Sequence, residues 1–242
     1  MIRISMFSGP RNISTTMMRA FENRADTIVH DEPFYAAYLS ESGAQHPMRQ
    51  AILDTQPHAR EDVVANLEKN PTDGENISFE KNIAFHFAKY DDDDWLKGVR
   101  IIQLIRDPRA MVASYANKYD DVAPIIDNLT VQRRIFDFAE ANGQPTPVVD
   151  ASDMLKAPKA MLRALCSALD IRFDEAMLNW PAGRRDSDGV WGAHWYDAVE
   201  KSTGFQPYLE REIHLSGAHE EIAEACRPDY EFFYARRITA GS

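Results

Sequence analysis

Short apolar runs alternate with stretches of helical periodicity along most of this chain, and that alternation is what most restricts its fold. Ile2–Phe7, Thr27–His30, Asn76–Phe79, Val99–Ile105 and Pro147–Asp150 read as strands. Between them Thr15–Asn23, Arg60–Lys69, Arg109–Lys118, Val131–Ala141 and Pro158–Leu169 carry apolar residues at helical spacing. Strands that alternate with helices are joined by crossovers, which lay the strands side by side in one direction. The expected fold is therefore α/β, with a central, mostly parallel sheet flanked by helices in three layers. The chain has 242 residues, 44% hydrophobic and 27% charged, enough for an ordinary core. One domain over residues 1–242 is expected, closed by a helical segment from about 207 whose pattern is clearest after Ala218.

Charge and cysteines narrow the function classes. Lys and Arg number 27 against 38 Asp and Glu, a net charge of −11. Sequence-independent nucleic-acid binding runs on basic surfaces, so a nucleic-acid partner is not expected. An anion site in such a chain must be a local gathering of Arg, Lys and backbone N–H groups. The two cysteines, Cys166 and Cys226, lie far apart and outside any C-x-x-C pattern, which fits reduced thiols and a cytoplasmic location. The chain enters a strand at once, without a basic and apolar leader, and no apolar run approaches the roughly 20 residues that span a bilayer. No membrane partner is expected, and the oligomeric state is not legible. Asp91–Asp94 reads as a solvated loop, since nothing nearby completes an oxygen cage for a metal.

Two strand-to-helix turns stand out. In "ISMFSGPRNISTTMMRAF" the strand ends at Ser8-Gly9-Pro10-Arg11, and Ser14 and Thr15 suit a helix start. This is the order in which N–H groups at a helix start collect an anion, and Arg11 adds a forked cation. The Walker pattern G-x-x-x-x-G-K-[ST] is absent, because no lysine follows Ile13. The second turn lies in "VRIIQLIRDPRAMVASY". Asp107 suits a helix cap, Pro108 its first turn, and Arg106 falls at the carboxyl end of a strand, where open α/β sheets bind ligands.

The pair "SGPRNISTT" and "LIRDPRAMVASY" resembles the signature of sulfotransferases that use 3′-phosphoadenosine-5′-phosphosulfate (PAPS). The resemblance implies the P-loop-type version of the three-layer fold, PAPS as co-substrate, no metal, and a small-molecule acceptor carrying a hydroxyl. It implies that Arg11, Asn12, Ser14, Thr15 and Thr16 hold the 5′-phosphosulfate, and that Arg106 and Ser114 hold the 3′-phosphate. "PAGRRDSDGVWGAHW" is similar to the family's third, basic segment, which brings in Arg184 and Arg185. The sequence departs from the pattern at Ile13, where the family loop usually has Gly, and at Arg11, where it often has Lys. Arg184-Arg185 also stands without the usual Arg-Lys-Gly.

Sulfuryl transfer, like phosphoryl transfer, asks the protein to position reactants, stabilise charge and accept the acceptor's proton. Two bases present themselves. Glu32 in "VHDEPFYAAYL" has the placement of a catalytic Glu found in some family members. His86 in "SFEKNIAFHFAKY" stands five residues after Lys81, and on a helix that spacing would not share its face. Glu32 therefore ranks first as base, with Lys81 as its electrostatic helper and Arg11 as a further catalytic donor. His30 is expected to point away from Asp31, and His194 to pack among Trp191 and Trp195 or line the pocket. A P-loop small-molecule kinase and a non-catalytic nucleotide-binding relative remain as alternatives.

Overall fold

The computed structural model describes residues 1–45, 48–69, 74–117, 122 and 124–241. In chain order the elements are β1 Ile2–Ser8, α1 Ser14–Glu22, β2 Thr27–Asp31, α2 Tyr35–Ser42, α3 Arg49–Thr55, α4 Arg60–Leu67 and β3 Ile77–Ile83. β4 Arg100–Ile105, α5 Pro108–Ala116, α6 Pro124–Ala141, β5 Val148–Asp150, α7 Ala151–Lys156 and α8 Pro158–Ala168 follow. Two single turns, α9 Gly192–Trp195 and α10 Asp197–Glu200, and a long α11 Ala218–Tyr234 complete the chain. Lys118, the expected end of one helix, lies outside the described residues.

The five strands form one sheet in the order β2-β3-β1-β4-β5, and every pairing between them is parallel. Alternation along the strands then assigns the faces. Ile4, Met6, Phe79, Ile102 and Leu104 point to one side, where Met17 and Phe21 of α1 and Leu162 and Leu165 of α8 cover them. Phe7 and Ile101 point to the other side and pack with Phe34, Phe87, Val131 and Ile135. Both faces are therefore buried, as a parallel sheet requires. The result is a three-layer α/β fold of the P-loop type.

β3 is longer than its apolar pattern suggested. Glu80, Lys81 and Asn82 interrupt the run of hydrophobics, yet all three are buried within the strand. Pairing on both sides, to β2 and β1, holds it extended through Ile83. The expected helix from about 207 begins only at Ala218. The stretch 205–217 runs irregularly across the surface, held where Arg109 of α5 donates to the Ile213 carbonyl (3.3 Å). Asp93, expected in solvent, is buried and paired with Arg134 at 2.9 Å. Cys166 and Cys226 are free and buried, and burial pushes both thiols up to about 11. No helix among the described residues is long and apolar enough to cross a membrane.

Candidate active site

Parallel strands end together, so the turns after β1, β2, β3 and β4 converge at one edge of the sheet. A cavity of about 370 Å³ opens there, lined by the loop from Pro10 to Thr16, by Glu32, Lys81, His86, Arg106 and Ser114, and by a wall of aromatic side chains.

At one end lies the loop after β1. Arg11 adopts a left-handed backbone (φ 56°) without being glycine, a strain of order 1–3 kcal/mol that the surrounding contacts must offset. Those contacts are visible. Asn12 Nδ2 donates to the Leu104 carbonyl (3.1 Å) and Asn12 Oδ1 accepts the Ile13 N–H (2.8 Å), pinning the loop to β4. Arg106 donates to the Arg11 carbonyl, and Arg11 Nε donates to Ser114 Oγ (3.3 Å). Ile13, not Ser14, precedes the first helical residue, and no side chain caps α1. The first bond into the helix runs from Met17 N–H to the Ile13 carbonyl (2.9 Å). The N–H groups of Ser14, Thr15 and Thr16 are thus the donors that every helix start leaves open, and all three residues line the cavity. Helix α5 differs, since Asp107 caps it by accepting the Ala110 N–H (3.1 Å).

Neither Arg11 nor Arg106 has a carboxylate partner among the described residues. Burial, together with the positive charges of Arg11 and Arg211, pushes the Arg106 guanidinium below its ordinary value. Arg11 and Arg106 line the cavity beside the open start of α1, with Asp107 and Asp150 acting on Arg106 only through space, an arrangement suited to an anion.

The other end is built on the register of β2 and β3. Asp31 pairs directly with Lys81 across the two strands, both on the α1 face of the sheet. Lys81 Nζ donates to Asp31 Oδ1 (2.8 Å), Glu32 Oε1 (2.6 Å) and Tyr196 OH (2.8 Å). Tyr196 OH in turn donates to Asp31 (2.8 Å to Oδ2) and accepts from Trp191 Nε1 (3.2 Å). The Gly189 N–H completes Asp31 at 3.0 Å. A Cβ at Gly189 would stand 2.2 Å from the Trp191 ring, so only glycine lets this turn lie under the indole. Glu32 sits just past the strand with φ 42°, held by its N–H on the Lys81 carbonyl (2.9 Å) and by its carbonyl accepting from Tyr35 N–H (3.0 Å). Desolvation raises the Glu32 carboxyl above its ordinary value, against the opposing pull of Lys81. Lys81 is buried too, yet Asp31 and Glu32 hold its ammonium well above the usual range.

A family model of the sulfotransferase domain matches residues 2–236. The chain belongs to the sulfotransferase-domain family. Among curated relatives, branched-chain-amino-acid aminotransferase-like protein 2 of Arabidopsis thaliana is 30% identical over 227 residues, covering 94% of this chain and 40% of the relative. The related aminotransferase-like protein 1 of the same plant is 29% identical over 237 residues, with the same shares. The chain thus spans about two fifths of the length of these relatives, 40% in each case. The solved sulfotransferase of Alicyclobacillus acidocaldarius superposes with a TM-score of 0.60 at 9% identity, over 98% of this chain and 97% of that one. The sulfotransferase domain of the Synechococcus PCC 7002 olefin synthase gives 0.54 at 17% identity, over 93% and 94%. The shared architecture is the sulfotransferase fold.

Within this sulfotransferase-family cavity, Arg11, Asn12, Ser14, Thr15, Thr16, Glu32, Lys81, His86, Arg106 and Ser114 come together. His86 reaches it by a route that helical spacing did not foresee. β3 continues past Lys81 to Ile83, and a 3₁₀ turn at Ala84–Phe87 then swings His86 back. Its ring stacks against both Tyr35 (4.6 Å) and Tyr38 (4.5 Å).

Arg184 and Arg185 do not line the cavity. Their turn is anchored to α1 instead, where buried Arg19 pairs with Asp188 at 2.6 Å. Asp188 also accepts the Arg185 N–H (2.8 Å), and the Arg185 side chain turns to the Pro181 carbonyl (2.9 Å) and towards Glu22 (3.8 Å). His194 is exposed, edge-on to Trp195, and neither packs in the core nor lines the cavity. His30 points to the opposite face from Asp31, and burial with the nearby Arg3 charge lowers its imidazole to about 4. Sequence reasoning missed Asp31, Tyr196 and Trp191. Asp31 stood beside Glu32 as a signal; Tyr196 and Trp191 had none, because only the fold brings them to Lys81. Among the described residues no group of three His, Cys, Asp or Glu side chains is placed to hold a metal ion.

Proposed function

We propose that this chain transfers a sulfuryl group from PAPS to a hydroxyl of a small-molecule acceptor. The observation that carries the reading is the unpaired cationic end of the cavity. Arg11 and Arg106 share it with the open α1 start and Ser114, while Glu32 and Lys81 stand in the same cavity. Two cations on two different turns suit a donor with two separated anionic groups. Arg11 and the N–H groups of Ser14–Thr16 would hold the phosphosulfate, and Arg106 with Ser114 the 3′-phosphate. Arg211, close enough to act on Arg106 electrostatically, would add to the second site the charge that Arg184 and Arg185 do not bring.

Glu32 supplies the base. Its second oxygen receives no donor from the described residues, and its raised proton affinity suits proton transfer near neutral pH. In the transfer, the acceptor's O–H proton passes to Glu32 as its oxygen bonds to sulfur. The bond from sulfur to the 5′-phosphate oxygen breaks, and its electron pair stays on that phosphate. Arg11 and the α1 N–H groups would stabilise the charge that develops there. Tyr35, Phe85, His86, Trp191 and Trp195 form an aromatic wall of the cavity that also holds Glu32, where the body of an acceptor would lie. A kinase reading lacks the Gly-Lys-Ser/Thr that holds β- and γ-phosphates with Mg²⁺.

Ligand-dependent melting tests the donor. Adenosine 3′,5′-bisphosphate at 100 times its Kd should add about 2.7 kcal/mol, a rise of several degrees in Tm for a chain of this size. Adenosine 5′-phosphate should do much less. An equal rise with ATP and Mg²⁺ would overturn the PAPS assignment.

A further inference from the structure

The Lys81 ammonium has three N–H donors, and the protein takes all of them: Asp31 (2.8 Å), Glu32 (2.6 Å) and Tyr196 (2.8 Å). The two carboxylates are held very differently. Asp31 also accepts from Tyr196 OH (2.8 Å) and Gly189 N–H (3.0 Å), and its side chain is almost wholly covered. Glu32 spends one oxygen on Lys81 and turns towards the cavity. Asp31 is absent from the cavity lining, so it does not meet the acceptor.

Resting on the reading of Glu32 as base, we propose that Asp31, fixed by Tyr196, is a positioning residue that keeps Lys81 from neutralising Glu32 alone and so preserves the basicity of Glu32. The charge count explains why. One ammonium and two carboxylates leave this buried cluster with a net charge of about −1. A proton arriving on Glu32 brings the cluster to neutrality, which burial favours. With Asp31 neutral, ionised Glu32 and Lys81 would already balance. Protonating Glu32 would then strand a buried ammonium, and Glu32 would be a weaker base. Desolvation acts on Glu32 in the same direction as the Asp31 charge, and Lys81 opposes both. Among the described residues, the charged and titratable groups around Glu32 are Lys81 from β3, Asp31 from β2 and Tyr196 from the turn after α9, while His86 from the 3₁₀ turn, Tyr35 from α2, Arg11 from the first loop and Arg106 after β4 line the same cavity.

The experiment is a pH profile of turnover for the wild type, Asp31→Asn and Lys81→Met, with Glu32→Gln as the control for the underlying reading. Turnover falls on the acid side as Glu32 takes up its proton. Asp31→Asn should move that limb down by about one pH unit or more and lower kcat several-fold on the plateau, with the KM for the sulfuryl donor unchanged. Lys81→Met should move the limb the other way. Opposite shifts are not what general loosening of the site produces. A ¹³C-NMR titration of the wild type reads the same property without turnover, the Glu32 carboxyl being identified by its loss in Glu32→Gln. Its midpoint should lie above the ordinary value of about 4.3 and should fall in Asp31→Ser, which removes the same charge if Asp31→Asn does not fold. A limb that stays put or rises in Asp31→Asn, or a wild-type Glu32 that titrates at or below the ordinary value, overturns the proposal. Near-normal turnover in Glu32→Gln overturns instead the assignment of Glu32 as base.

Discussion

The two ends of the cavity are both charged, but the protein treats them in opposite ways. Around Lys81 every donor of the ammonium is used, two of them by the adjacent Asp31 and Glu32 at the end of β2 and the third by Tyr196 from the turn after α9. Around Arg11 and Arg106 the guanidiniums meet a carbonyl and a hydroxyl but no carboxylate partner among the described residues. The first arrangement is complete in itself, whereas the second leaves donors at the cavity that, on the proposed reading, an anion would take up. On the same reading, the difference separates the group that would do chemistry from the groups that would bind. Glu32 is held in place by a network that exists before any ligand arrives. The loop at Arg11 keeps a strained backbone and an uncapped helix for the ligand to satisfy.

The comparison breaks most sharply at Glu32. Replacing it by Gln keeps shape and hydrogen bonding but removes the basic site, and turnover should fall about 10²–10⁴-fold. Binding of adenosine 3′,5′-bisphosphate, measured by calorimetry, should hardly change. His86→Asn should cost less turnover, and a larger loss there would transfer the role of base to His86. At the cationic end the pattern reverses. Arg106→Ala removes a charge-assisted contact worth about 1.5–3 kcal/mol, so nucleotide affinity should drop roughly 10- to 150-fold. A variant that binds normally but melts early would make Arg106 a structural residue, tying the first loop down through the Arg11 carbonyl. The smallest effect is expected at Ser114, whose hydroxyl is a neutral donor. Ser114→Ala should weaken nucleotide binding by only a few-fold, since a net neutral hydrogen bond is worth about 0.5–1.5 kcal/mol. A loss equal to that of Arg106→Ala would mean that Ser114 acts chiefly by orienting Arg11.

Much of the cationic end was legible in the chain, because its signals are local. A strand ending at Gly9-Pro10, and a strand ending at Arg106 before Asp107-Pro108, are turns that a few adjacent residues dictate. The five strands were legible for the same reason, with β1 and β4 placed within a residue or two of their ends. Where the reading fell short, long-range contacts had decided. β3 was cut short because burial of Glu80 and Lys81 depends on partners 77 and 50 positions away, Arg3 and Asp31. Ser14 suits a helix cap by type, yet the pinning of Asn12 to β4 makes Ile13 the residue before the helix. Arg184 and Arg185 followed a familiar pattern of types, but neither lines the cavity; the buried pair of Arg19 and Asp188 ties their turn to α1, and it is Trp191 and Trp195 of the same segment that reach the cavity.

What the sequence by itself determined is the set of modules: alternating strands and helices, two turns ready for an anion, and a carboxylate, Glu32, at the end of a strand. Propensity, turn chemistry and periodicity act over a few residues, so they can be read without the fold. The tertiary structure alone decided how the modules meet. The parallel register of β2 and β3 sets Asp31 against Lys81, and the return of the chain near Trp191 delivers Tyr196 to them from 165 positions beyond Asp31. Such contacts leave no local trace, because the hydrogen bonds and desolvation that hold the cluster arise only once distant segments have been buried together.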